Sequence, residues 1–260
     1  MYNKYGKKKY GIISKDIHKG LWQSTYSIEA RNFREFVDKL CSIYCSESKA
    51  EVIGVKIAGN MKDNVSLIKN IFPDAYCIHI IRDPRDILVS LRKVPFETKS
   101  AYILGKNWIQ TINAIRQLRK LPNYYEIRYE SLLTDPVKEI KGICKFLNLK
   151  YNKKMLDFHK NITGKHSFNT LIRNKIAKDN TGKWKKVLSK KDLKLLYSVA
   201  SKDMFSEGYL DRVYYIHIGI FDNISEYLKD FIRKLRYFDY DLPNRIYLKE
   251  LLFLRGIGVK

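Results

Sequence analysis

The sequence predicts an α/β protein with three layers, in which helices cover both faces of a central parallel sheet. Short apolar runs alternate with stretches that carry apolar residues at helical spacing, which is typical of βαβ units. The run at residues 75–81, Ala-Tyr-Cys-Ile-His-Ile-Ile, is continuous and rich in β-formers. This pattern predicts a strand that is buried on both faces of the sheet. Ligands of such folds bind beyond the carboxyl ends of the strands.

The expected elements follow one another along the chain in a regular order. Ser27 is a candidate N-cap for a helix over residues 28–45, and residues 52–57 are a strand candidate. The strand at residues 75–81 follows a predicted helix at residues 62–71. The further elements predicted from periodicity and from Pro positions are helices at 86–92, 102–120 and 136–147 and a strand at 125–129.

Composition bounds the class of protein and the class of partner. The chain has 260 residues, 45% of them hydrophobic, so it can bury a core. Its net charge of +23 predicts anionic partners, and residues 141–200 carry 16 Lys and Arg against 3 Asp and Glu. A basic stretch of this kind is either a set of solvated helix faces or the rim of a phosphate site.

Targeting and metal signals are weak in this sequence. The first nine residues are polar and basic, and no apolar run approaches the roughly 18 residues of a membrane span. The prediction is therefore a cytoplasmic protein without a transmembrane segment. Cys41 and Cys45 are four residues apart but have no second pair and no nearby His, so no metal site is expected.

A phosphate-binding pattern follows the strong strand. Arg82, Asp83, Pro84, Arg85 and Asp86 come directly after it, and Ser90 lies eight residues beyond Arg82. An arginine fork and a hydroxyl can hold one phosphate from two sides. The alternative is an Arg–Asp pair that only closes the corner between strand and helix.

Further motifs occur in a fixed order downstream of this pattern. A Tyr-Glu-Ser-Leu segment follows the second strand at residues 129–132, Asp135-Pro136 opens a helix that ends in Phe-Leu, and Thr-Gly-Lys-Trp occupies residues 181–184. Over residues 50–210 this ordered set resembles the sulfotransferase family, whose members use 3′-phosphoadenosine 5′-phosphosulfate. The resemblance implies a fold similar to that of P-loop NTPases, and no metal.

The resemblance also implies roles for individual residues. Arg82 and Ser90 match the pair that holds the 3′-phosphate of the donor, and Tyr129 matches a tyrosine near the adenine. Lys56, in the short segment before the first motif, matches a catalytic lysine. The positions that match the late phosphate loop of the family are Lys178, Thr181, Gly182 and Lys183.

The chain departs from the family pattern in two places. The family opens with a strand and a Ser-Gly-Thr-Thr-type loop around the 5′-phosphosulfate, and no segment here matches them. We therefore expect residues 1–210 to be a sulfotransferase-like domain that lacks its amino-terminal strand and loop, as in a fragment. An exposed strand edge would then favour self-association. Val55 and Ala58 also stand where a Glu or His base would be.

The basic, aromatic residues 211–260 are predicted to form a helical extension. Tyr227, Phe231, Leu235 and Phe238 are spaced for one helical face. That face either packs on the core, which is the simpler interpretation, or touches a partner or an anionic membrane surface.

Three functional hypotheses follow. The first is a sulfotransferase, complete or truncated, that acts on a hydroxyl or amine acceptor, for which an acidic carbohydrate would suit the basic residues. The second is a non-catalytic relative that binds a nucleotide or another anionic partner. The third, binding of nucleic acid, rests on charge alone, because no recognised DNA or RNA motif is present, and no nucleic-acid partner is expected.

Overall fold

The chain forms two compact units, which comprise residues 1–59 with 238–260 and residues 60–237. A computed structural model describes residues 8–9, 29–48, 52–55, 61–94, 97–160, 174–177 and 179–240. None of the helices in these ranges has the length and the continuous apolar character of a membrane span.

The first unit contains a short antiparallel pair of strands and a helix. Strand β1 (Lys8–Lys9) pairs with β2 (Glu29–Ala30), and helix α1 spans Phe33–Ser48. Asn32 precedes α1, and its side chain accepts a hydrogen bond from the backbone of Glu35. The predicted start at residue 28 is therefore wrong, because residues 29–30 are extended; Ser27 lies outside the described residues. The apolar residues of this cluster are Ala30, Phe36, Val37, Leu40 and Ile43.

The predicted strand at residues 52–57 is not present in the part that the structure describes. Residues 52–55 have no regular secondary structure, and Val52 and Val55 are exposed. Lys56 and Ile57 lie outside the described residues.

The second unit confirms the predicted alternation of helices and strands. Each predicted element of this unit from residue 62 to residue 129 is present. Its first and last residues lie within two positions of the predicted ones. These elements are α2 (Met61–Ile71), β3 (Cys77–Ile81), α3 (Pro84–Leu91), α4 (Ala101–Leu118) and β4 (Tyr124–Arg128).

The two strands of this unit form a parallel pair in register from Cys77 opposite Tyr124 to Ile81 opposite Arg128. This pairing confirms the α/β class. One face of the pair packs on α2 and α4 through Cys77 and Tyr124. Ile78 and Ile80 on the other face are 40% and 50% exposed. The prediction that β3 is buried on both faces is therefore wrong for the described residues.

Helix α4 is the centre of the second unit. Its first half packs with β3, α3 and a later helix in one apolar cluster, and its last turns pack against α2 in another. Gly105 allows a close approach, because a Cβ at this position would lie 2.6 Å from Cγ2 of Val199. An alanine at this position would push α4 away from the helix that contains Val199, or would force the Val199 side chain to move.

The remaining elements follow β4. Two short helices, α5 (Tyr129–Thr134) and α6 (Pro136–Phe146), come first, and a 3₁₀ helix spans Lys153–Lys160. Helix α6 covers β4, since Phe146 stacks on Tyr125 with ring centroids 5.2 Å apart. The last helices are α7 (Trp184–Val187), α8 (Lys190–Ser206) and α9 (Ile220–Tyr240).

Helix α9 packs with its polar side inward. Glu226 and Asp230 are 7% and 5% exposed, whereas Phe231 of the predicted apolar stripe is 57% exposed. Tyr227 is also exposed and meets Tyr102 edge to face. Core packing of the stripe is thus wrong for Phe231, and the domain boundary at residue 210 stays a prediction.

Candidate functional site

The corner between β3 and α3 is built by an aspartate and the arginine two residues after it. Asp83 caps α3 by accepting a hydrogen bond from the backbone of Arg85 at 2.8 Å, and Pro84 fills the first helical position. The Arg85 guanidinium grips both carboxylate oxygens of Asp83, at 2.7 and 2.9 Å. The backbone of Asp83 donates in turn to Glu130 at 3.0 Å.

Arg85 is a structural arginine. It is buried and stacks on the Trp184 ring, with its guanidinium carbon 3.9 Å from the ring centroid. It also donates to the Tyr209 carbonyl at 2.8 Å and to the Tyr197 hydroxyl at 3.2 Å. Burial alone would lower the pKa of Arg85, but the bonds to Asp83 and Tyr197 raise it. The Arg–Asp pair that closes the corner is therefore Arg85 with Asp83.

Arg82 lies at the carboxyl end of the sheet and has a different environment. It follows β3 directly, as Tyr129 follows β4, and Ile81 and Arg128 are paired residues at the strand ends. The guanidinium carbon of Arg82 is 4.2 Å from the centroid of the Tyr129 ring. Nη2 donates to the Asn180 carbonyl at 3.1 Å, while the buried Nε has no hydrogen-bond partner.

A loop before α7 completes this group. The Asn180 amide donates to the Tyr129 hydroxyl at 2.7 Å and accepts from Lys183 Nζ at 2.8 Å. Asn180 thus joins Arg82, Tyr129 and Lys183, which we call the Arg82 cluster. Sequence reasoning missed Asn180, although its place directly before Thr181-Gly182 was the available signal.

Asp86 holds the same loop on the α3 side. Its buried carboxylate accepts hydrogen bonds from the backbone of Gly182 at 2.6 Å and of Trp184 at 3.0 Å. Gly182 adopts φ +69°, which is costly for a residue with a Cβ. The Asp86 carboxylate thus holds the loop next to the strand ends through two of its backbone N–H groups.

The two cations of the Arg82 cluster are Arg82 and Lys183. Among the described residues, no carboxylate forms an ion pair with Arg82 or Lys183, whereas Arg85 is paired with Asp83. Two cations, an orphan guanidinium N–H and an aromatic ring at strand ends are suited to binding a planar anionic ligand. Within the described ranges, no group of His, Cys, Asp and Glu could hold a metal ion.

The other predicted site residues are Ser90, Thr181, Lys56 and Lys178. Ser90 is exposed near the end of α3, roughly 9 Å along the helix from its first residue at 1.5 Å per residue. Thr181 is half-buried within the loop. Lys56 and Lys178 lie outside the described residues.

His79 belongs to the sheet face and not to the cluster. Its Nδ1 is 2.9 Å from a Glu126 carboxylate oxygen, which also accepts from the Tyr124 hydroxyl at 2.6 Å. Burial lowers the pKa of His79, and Glu126 only partly opposes this effect. The interpretation of His79 as a residue satisfied within the core agrees with these contacts.

Comparisons with known proteins point to one family. A family model described as the sulfotransferase family matches residues 7–153. A candidate protein-tyrosine sulfotransferase of Caenorhabditis briggsae is 29% identical over 146 residues, which cover 51% of this chain and 52% of that protein. Sulfotransferase 2A6 of Rattus norvegicus is 32% identical over 99 residues, which cover 32% of this chain and 35% of that one.

A solved structure shows the same fold. A sulfotransferase domain from the curacin biosynthetic pathway superposes with a TM-score of 0.51 at 17% identity, covering 68% of this chain and 70% of that one. The chain spans about half the length of the C. briggsae relative and about a third of the rat protein.

Proposed function

Because the chain belongs to the sulfotransferase family, we propose that it transfers a sulfuryl group from 3′-phosphoadenosine 5′-phosphosulfate to a hydroxyl or amine acceptor. The observation that carries the donor assignment is the Arg82 cluster. Arg82 there combines an orphan N–H, an aromatic neighbour and the absence, among the described residues, of a carboxylate partner.

In this proposal Arg82 and Ser90 hold the 3′-phosphate of the donor. The Tyr129 ring, which supports the Arg82 guanidinium, lies beside the adenine. In this proposal the Arg82 guanidinium donates to the phosphate oxygens, and the cluster rearranges on binding so that Nε, which is shielded from solvent and unpartnered here, gains an acceptor. Charge-assisted bonds of this kind are about twice as strong as neutral ones, so the cluster can bind a dianion firmly.

The late loop supplies the other contacts in this proposal. Lys183, Thr181 and Gly182 line the donor from the opposite side, with Lys178 outside the described residues. Lys183 already points at Asn180, at 2.8 Å, so its ammonium group is held near Arg82. Asp86 contributes indirectly, because it keeps the backbone of this loop in place.

The chemistry requires positioning and cationic stabilisation more than covalent help. The bond between sulfur and the bridging oxygen breaks while the acceptor oxygen or nitrogen bonds to sulfur and releases its proton to water, which yields adenosine 3′,5′-bisphosphate and the sulfated acceptor. Charge develops on the leaving phosphate, and a lysine near it lowers the barrier. We assign this role to Lys56.

Calorimetry with adenosine 3′,5′-bisphosphate tests the donor site. Arg82→Ala should weaken binding by about one to two decades, because a hydrogen-bonded charge contributes roughly 1.5–3 kcal/mol. Arg212→Ala is a matched control, since the guanidinium of Arg212 also faces a tyrosine, 5.1 Å from the Tyr214 centroid, but lies outside the cluster. Equal affinities of the two variants would contradict the assignment.

A second ligand shows whether Arg82 recognises the 3′-phosphate. With adenosine 5′-phosphate, which lacks that group, wild type and Arg82→Ala should bind with the same affinity. A loss of equal size for both ligands would mean that Arg82 only supports the Tyr129 ring.

Turnover separates catalysis from binding alone. Release of the bisphosphate is measured with peptide tyrosine, phenol, sugar and amine acceptors, starting with a tyrosine peptide because one relative is a candidate protein-tyrosine sulfotransferase. Binding of the donor without release by any acceptor would favour the alternative, a non-catalytic relative that binds a nucleotide.

A further inference from the structure

Helix α9 turns its apolar residues to solvent and its carboxylates to the protein. Ile220, Ile224, Leu228 and Phe231 share one face at helical spacing, and all four are exposed. Phe221 beside them is 86% exposed. Together with Ile232 they form what we call the outward face of α9. Exposed apolar side chains that adjoin one another on a protein surface are typical of interaction sites.

The opposite side of α9 explains this orientation. At 100° per residue, Glu226 lies about 180° and Asp230 about 140° from the centre of the outward face. Glu226 accepts a 2.6 Å hydrogen bond from the buried Ser100 hydroxyl at the start of α4. Asp230 pairs with Arg233 at 2.9 Å. These contacts fix the polar side inward, so the outward face is exposed by the packing of the helix itself.

The surroundings of the outward face are cationic. Of the three carboxylates in residues 220–233, Glu226 and Asp230 are buried and only Asp222 is exposed. Lys229 is largely exposed, and exposed Lys106 donates to the Tyr227 hydroxyl at 3.1 Å.

A third exposed lysine, Lys191, lies near Glu226. Burial would raise the pKa of Glu226, but Ser100, Lys229 and Lys191 together lower it. The carboxylate therefore stays charged on the inward side of the helix.

We propose that α9 docks on an anionic membrane surface, with its outward face inserted at the level of the lipid headgroups. A helix with aromatic and aliphatic residues on one face and lysines beside it binds in the plane of such an interface. Each lysine near an anionic leaflet adds to the attraction. The charge of +23 favours this occupant over a second copy of the chain, because two such copies repel each other.

Membrane docking is independent of the proposed sulfotransferase activity. The Arg82 cluster does not include any residue of α9, so a failure of membrane binding would leave donor binding unchanged. Likewise, loss of donor binding in Arg82→Ala should leave vesicle binding as it is.

Vesicle flotation with the full chain tests the proposal. The wild type should bind phosphatidylcholine vesicles that contain phosphatidylglycerol far better than vesicles of phosphatidylcholine alone. Phe221→Ser combined with Phe231→Ser should weaken binding to the anionic vesicles about a hundredfold, because each inserted phenylalanine contributes about tenfold or more. Both side chains are exposed, so the variant should fold normally, which circular dichroism checks.

Phe205→Ser is the matched control. Phe205 is also exposed, but it lies at the end of α8. Its neighbour Ser206 accepts a hydrogen bond from Arg116 in the last turn of α4, whereas α9 contacts Ser100 at the start of α4. The control should bind anionic vesicles as the wild type does. High salt should weaken vesicle binding by the wild type and by Phe205→Ser, but both should still bind more tightly than the double variant.

Two results would overturn the proposal. Equal binding by the wild type and the double variant would mean that only the net charge attracts the chain to lipid. A wild type that ignores vesicles and forms dimers, which the double variant breaks, would make the outward face an interface between copies.

Discussion

The corner between β3 and α3 and the helix α9 both bury two carboxylates, but they use them differently. At the corner, Asp83 and Asp86 bind an arginine and the backbone of a loop almost a hundred residues away in sequence. In α9, Glu226 and Asp230 pair with Lys229 and Arg233 of their own helix, and Glu226 also accepts a hydrogen bond from the distant Ser100.

This contrast shows what a buried carboxylate does for a fold. Where its partners come from several elements, it joins them, and its removal leaves polar groups unpaired in the interior. Where it pairs with a residue of its own helix, as in the i,i+3 pairs of α9, it also favours one side of that helix facing inward. The corner therefore supports the Arg82 cluster, and α9 presents an apolar face to solvent.

The largest effect is expected at the corner. Arg85→Ala should lower the free energy of unfolding by about 3–5 kcal/mol, because it breaks a buried ion pair and leaves Asp83 uncompensated. Denaturant titration measures the loss. Arg212→Ala, which removes an exposed guanidinium, should leave the stability almost unchanged. A loss at Arg85 no larger than in this control would mean that the corner does not depend on its arginine.

A pH titration examines the other end of α3. Arg92, the C-cap of α3, pairs with Asp192 of α8 at 2.5 Å. Partial burial would raise the pKa of Asp192, but Arg92 and Ser189 lower it from 3.8 to about 2. The unfolded carboxyl thus protonates first, so this pair stabilises the fold above about pH 4 and its contribution is lost as the pH falls toward 2.

The variant Asp192→Asn isolates this contribution. At about pH 6 it should be less stable than the wild type by about 2 kcal/mol, which corresponds to the shift in pKa. The difference should shrink toward zero near pH 2, as shown by urea titrations at a series of pH values. A difference that does not depend on pH would show that the charge of Asp192 is not what holds α8 to α3.

The smallest effect is expected in α9. Glu226→Gln keeps an acceptor for Ser100 but loses the charge that faces Lys229, so unfolding should become easier by about 1 kcal/mol. Asp222→Asn, at an exposed position of the same helix, should have almost no effect. The comparison between the two regions fails if Glu226→Gln costs as much stability as Arg85→Ala.

The local features of this protein could be predicted from its sequence. The α/β class, α2, α4, α6 and the parallel pair of strands were all predicted within a few residues. Helix starts at Asp-Pro and Ser, and ends near Pro, depend on backbone geometry within one turn, so the sequence shows them directly. The motif that follows β3 likewise predicted a site at the strand ends, because a side chain directly after a parallel strand lies at that edge of the sheet.

Long-range packing determines which of Arg82 and Arg85 closes the corner and which belongs to the cluster. It also determines which faces of α9 and β3 are buried. Arg82 and Arg85 stand in the same motif, yet Tyr197, Tyr209 and Trp184 hold Arg85 on Asp83. Asn180 joined the cluster for the same reason, since its partners are Arg82 and Tyr129.

The apolar stripe of α9 and the residues Ile78 and Ile80 make the same point from the opposite side. The continuous apolar run predicted that Ile78 and Ile80 are buried, and core packing was the simpler of two interpretations for the stripe of α9, but burial depends on which surfaces lie opposite. The Ser100 hydroxyl at the start of α4 donates to Glu226 and so holds the polar side of α9 inward. Helix α6 covers β4 but leaves Ile78 and Ile80 of β3 exposed. These are contacts between residues far apart in sequence, and no local pattern encodes them.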